Sequence, residues 1–308
     1  MASGNRNDII AAFLMNMRDR CASPEHLQYL QDFITTGYAS GFITDKNLPQ
    51  VVKKLMKIER FETLPADQRG LFGATFHANN SPGLTVQVNP DLRRMGPHLT
   101  EMYAFHELVH VLLDGDADLV RQDAMRNAHA TPAQADQVAD GYTSIEEAVA
   151  QNAAEQMISQ LYPRDRSSEY RLGREPSLPG MPVRTNFHYY GLYQPIAKSF
   201  ARTLRGIGNL PSRGDEDTHL NALSARAFNG GFAAGIIDEY KRDGQYNGLE
   251  STLYRLGLVF RAKLAEIYGQ RGAYGDDKVV MAYQTAIQSL DAMRDQRPPL
   301  RTHDYDER

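Results

Sequence analysis

Two imidazoles and a carboxylate occur as His106-Glu107-x-x-His110 inside the apolar stretch YAFHELVHVLLD, residues 103–114. On an α-helix, positions i and i+4 lie one above the other on one face, so His106 and His110 can aim two nitrogens at one point. A transition-metal ion needs that from its first two protein ligands. Glu107, one step round the helix, is placed to act on a water at the metal rather than on the metal itself. A chance match to this pattern has odds of about one in a hundred, so the spacing carries weight. The face made by Phe105, Leu108, Val109 and Leu112 is apolar and predicts a buried helix. Buried imidazoles need partners: a metal, or the backbone carbonyls of a metal-free core helix.

The elements that must position this helix can be read from periodicity. Residues 7–60 carry apolar positions at three- and four-residue spacing, in DIIAAFLMNM, PEHLQYLQDFITTGYASG and LPQVVKKLMKIERF, and read as helices. Over 71–90 the period changes. LFGATFHANNSPGLTVQVNP has two β-prone runs around a turn cluster at 79–83, the pattern of a hairpin. Pro90 and Pro97 bracket a connector, and the histidine helix follows over 99–113. Residues 114–141 are polar and ambiguous, with Pro132 inside them. A helix is expected over 144–161, a proline-rich surface loop over 162–187, and further helices over 189–204, 220–243, 249–269 and 279–294. The expected fold class is α+β, predominantly helical, with a small sheet before the histidine helix. One unit is expected, with approximate lobes at 1–70, 71–161 and 188–295. Gly230, Gly231 and Gly235 read as close helix packing. His77, His98, His129 and His219 lack ligand spacing and read as surface or loop residues.

Composition narrows the function classes. A formal charge of −4 gives no basic excess, which argues against nucleic acid as a partner. Cys21 is the single cysteine, so no internal disulfide can form, and a reducing compartment fits. The apolar run over 9–15 is short and reads as an amphipathic helix rather than a secretory signal. No run approaches the roughly 20 apolar residues that span a bilayer. A soluble, cytoplasmic protein is expected, or one exported without a signal peptide, as injected bacterial effectors are.

HELVHVLL following GLTVQVNP resembles the zincin-type zinc metallopeptidases, in which an edge strand flanks the motif helix. The resemblance covers about residues 71–160. The metzincin branch asks for Gly at 113 and His at 116, where this chain has Leu113 and Asp116. The gluzincin branch takes a glutamate from a later helix, and SIEEAVAQNAAEQM is similar to that string. The resemblance implies zinc held by His106, His110 and Glu147, with Gln151 in the position that supports a ligand histidine. Glu146 competes for the third ligand, because it lies nearer the apolar stripe of Ile145, Val149, Ala153 and Met157. Ser144-x-x-Glu147 and Thr143-x-x-Glu146 also read as capping boxes, which need no metal. Asp114, Asp116 and Asp118 are a further alternative.

The implied activity is peptide-bond hydrolysis, with Glu107 as general base for a zinc-activated water. Tyr190, then His188, are the candidates for stabilising the oxyanion, with Tyr189 and Tyr193 beside them. The expected partner is a peptide or protein substrate. A zinc-binding protein without proteolytic activity and a metal-free helical protein remain as alternatives.

Overall fold

The computed structural model describes residues 6–68, 71–78, 81–94, 98–127, 129–162, 188–208, 210, 218–267, 269, 270 and 272–296, with backbone alone at 188–191 and 267. The chain divides into two compact units, one of Met1–Asp114, Ala148–Gly191 and Ser224–Gly230, the other of Gly115–Glu147, Leu192–Leu223 and Gly231–Arg308.

The first unit opens with helices α1 (Arg6–Met17), α2 (Pro24–Ala39) and α3 (Leu48–Leu55). Ser23 caps α2 by accepting from the His26 amide, and Pro24 sits in the first turn, where its missing N–H costs nothing. Strands β1 (Ile58–Thr63), β2 (Gly73–His77) and β3 (Leu84–Val88) form a sheet in the order β1-β3-β2. The expected hairpin is present, with β2 antiparallel to β3 and Thr75 opposite Val86.

β1 corrects the reading of residues 48–61 as one helix. The helix stops at Leu55, and Ile58–Thr63 pair in parallel with β3. A register irregularity between Ile58 and Arg60 leaves the buried residues Ile58 and Phe61 three apart, which imitates helical spacing in the sequence.

Helix α4 (Leu99–Leu113) packs on β2 and β3 and against α2 and α3. Every residue of α4 except Glu101 and His110 is buried. Phe105 meets Phe33, and Phe228 stacks on Phe33 and Phe42, so aromatic rings fill this core.

The second unit contains α5 (Asp116–Asn127) and most of α7 (His188–Thr203) and α8 (Thr218–Ala227). It also holds α9 (Phe232–Arg242), α10 (Tyr246–Ile267) and α11 (Asp276–Asp295). The single helix expected over 220–243 is broken. Gly230 and Gly231 both have positive φ, which ends α8 and starts α9. A Cβ at Gly235 would meet nothing within 4 Å, so that glycine marks no close packing.

Helix α6 (Pro132–Leu161) passes from one unit into the other. Among the described residues, no helix is long and apolar enough to cross a membrane.

Candidate metal centre

α4 carries two imidazoles on one buried flank. His106 Nε2 and His110 Nε2 lie 3.0 Å apart, so the i, i+4 spacing brings both rings to one point. Glu147, on α6, adds a carboxylate oxygen, and the three ligand atoms fall within 4.8 Å of one another. Among the described residues this is the one group of three or more side chains placed to hold a metal ion. His106 is buried, while His110 and Glu147 are partly exposed.

The donor set fits a divalent transition metal. Two imidazole nitrogens and one carboxylate are the three-ligand pattern of an open zinc site. Tetrahedral Zn–N bonds of about 2.05 Å put ligand nitrogens about 3.3 Å apart, close to the separation of this pair. A harder ion such as magnesium prefers an all-oxygen shell.

The capping explanation for Glu147 fails. α6 begins at Pro132, so Thr143 and Ser144 lie inside the helix. Their hydroxyls donate back to the carbonyls of Ala139, at 3.1 Å, and Gly141, at 2.6 Å. The actual start is Thr131. Its Oγ1 accepts from the Gln134 amide at 3.4 Å, while Gln134 Oε1 accepts from the Thr131 amide at 2.9 Å. That is a reciprocal capping box, and Pro132 is the first-turn proline that accompanies such starts.

The other candidates go elsewhere. Glu146 is buried beside Tyr142, whose hydroxyl is pushed well up in pKa by burial and then by the Glu146 and Asp116 carboxylates. Gln151 Nε2 donates to Glu155 at 2.8 Å and lies 3.8 Å from Met102 Sδ. Asp114 accepts from Lys57 at 2.6 Å and from His77 at 2.9 Å. Asp116 accepts from the Ala233 amide at the start of α9, and Asp118 is exposed.

Glu107 is buried, and one residue of β2 holds it. Thr75 Oγ1 donates to Glu107 Oε2 at 2.8 Å and also faces the Glu107 carbonyl at 3.1 Å. At Gly73 an added Cβ would lie 2.6 Å from Glu107 Oε1. Thr75 and Gly73 were invisible to motif reading, because the hairpin pattern shows which residues share a strand face but not what that face touches.

The side chains of His188, Tyr189 and Tyr190 lie outside the described ones; only the backbone of this first turn of α7 is described. Tyr193 is fully buried, with its ring 6.2 Å from that of Phe260, a packing role. One of the four histidines read as surface or loop residues differs, since His77 is exposed as expected and His219 is not. His219 is buried, and burial followed by Arg202 lowers its pKa. His77 is the ion-pair partner of Asp114.

Compared with protein-family models, curated proteins and solved structures, the chain has no match.

Proposed function

We propose that this chain is a zinc-dependent metallopeptidase of the zincin type, built on a gluzincin-like core of β2, β3, α4 and α6. Its ligands are His106, His110 and Glu147, and its general base is Glu107. The observation that carries the reading is the convergence of two α4 imidazoles with a carboxylate placed 37 residues after His110, beside the buried Glu107. No local motif accounts for Glu147 once the capping box is assigned to Thr131 and Gln134.

A bound zinc ion supplies Lewis-acid chemistry, polarising a carbonyl and making water acidic enough to ionise near neutral pH. Glu107 accepts the proton of the attacking water and returns it to the leaving amine nitrogen, so one water is consumed per peptide bond. β2 is a terminal strand of the sheet, and an extended peptide can pair along its outer edge.

The test is direct. Purified chain is expected to hold one zinc per molecule, and Glu107→Gln to lose peptide cleavage by at least about 100-fold while keeping the metal. A chain that holds zinc and whose Glu107→Gln form retains every measurable property is a zinc-binding protein without this chemistry. A chain that never holds zinc is neither.

A further inference from the structure

We propose that Thr75 and Gly73 are positioning residues for the Glu107 carboxylate; the catalytic consequence rests on the hydrolase reading, whereas the contact stands on geometry alone. Successive side chains of a strand alternate between faces, so residues 73, 75 and 77 of β2 share one face. That face lies on α4. Gly73 and Thr75 meet Glu107, and His77 meets Asp114 one residue beyond the helix.

Thr75 acts as a clasp. Its single hydroxyl proton is shared between Glu107 Oε2 and the main-chain oxygen of the same residue. The side chain is thereby fixed relative to its own backbone. A buried carboxylate needs such a donor, and a glutamate without one spreads over its rotamers.

Gly73 supplies the space. A Cβ there would sit 2.6, 2.7 and 2.9 Å from Oε1, Cγ and Cδ of Glu107, so the carboxylate fills the volume a side chain would take. Gly73 is not among the glycines with positive φ, and its place in a paired strand suits any residue. Room, not backbone freedom, calls for glycine at this position. Elsewhere in a strand, alanine is the more stable choice. The sign of Gly73→Ala therefore reports on Glu107.

The experiment is a double-mutant cycle on the full chain freed of metal, read by urea unfolding. Gly73→Ala is expected to lower the folding equilibrium constant in the wild-type background, and to leave it unchanged or raise it in Glu107→Ala. Thr75→Val is expected to lower it about tenfold beside Glu107 and far less beside Ala at 107. Equal effects in both backgrounds overturn the proposal. With zinc bound, Thr75→Val is expected to cut kcat by about 10- to 100-fold at unchanged KM and unchanged zinc content, and Thr75→Ser to restore it. A Thr75→Ser form as slow as Thr75→Val also overturns it. Coupling in the unfolding cycle from a chain that cleaves no peptide upholds the positioning and removes the hydrolase reading.

Discussion

Glu146 and Glu147 are adjacent on one helix, yet their surroundings separate them. Glu146 is buried beside Tyr142, whereas Glu147 is partly exposed and within reach of both α4 imidazoles. Were Glu147 the third ligand of a bound ion, its loss would leave only His106 and His110 to hold that ion. Glu147→Ala is therefore expected to weaken zinc binding by well over 100-fold, a larger effect than the 10- to 100-fold typical of residues that merely support a ligand. Glu146→Ala opens a small cavity and is expected to lower stability with zinc affinity within about threefold of wild type. Competition against a chromophoric chelator measures both constants. A reversed pattern makes Glu146 the ligand, and two tight-binding variants move the third ligand off α6. The ambiguity between these residues was unavoidable in the sequence. Ser144-x-x-Glu147 is a valid capping string, and only the upstream start of α6 shows that it caps nothing.

At the scale of elements, β2 is fastened to the end of α4 by charge. His77 Nε2 donates to Asp114 Oδ1, its Nδ1 faces the Gly83 carbonyl at 3.1 Å, and Lys57 donates to the other carboxylate oxygen. Two acceptors on one imidazole favour the doubly protonated ring, and the bond to Asp114 raises the His77 pKa above 6.5. Burial pushes the Asp114 carboxyl up, but Lys57 and His77 together outweigh it and hold its pKa below 3.8. A raised histidine pKa stabilises the fold fully below the unfolded value and loses that contribution as pH rises through the folded one. The lowered aspartate pKa contributes above 3.8 and is lost as pH falls through its folded value. Thermal unfolding of wild type against His77→Gln is thus expected to differ most between about pH 4 and 6.5 and to converge above that range. A gap that is flat from pH 5 to 9 excludes the ion pair as its cause. The hairpin and α4 were legible because their apolar patterns are regular and bounded by prolines. β1 was not, since its bulge mimics helical spacing. The first half of α6 was hidden by polar residues, which left 114–141 ambiguous although Pro132 is its first residue.

For the molecule as a whole, the proposed metal joins residues that are far apart in the chain, 106 and 110 on one side and 147 on the other. An ion that binds this arrangement and not the unfolded chain stabilises the fold by mass action, about 2.7 kcal/mol at free zinc 100-fold above Kd. At an unfolding entropy of about 2.1 cal/mol/K per residue, a chain of this length shifts by roughly 1.5 °C per kcal/mol, so chelation is expected to lower Tm by about 4 °C. A chain of two units can melt in two steps, and the response is then read from the step that moves. His106→Ala/His110→Ala is expected to melt at one temperature with and without chelator, because it has no site to empty. Magnesium is expected to leave the wild-type Tm unchanged, since imidazole is a poor ligand for a hard ion that prefers oxygen. Scanning calorimetry at matched protein concentration, with zinc, magnesium or chelator, decides the matter. If wild type ignores zinc, or if the histidine-free variant responds to it equally, the three side chains are not a metal site, whatever their spacing.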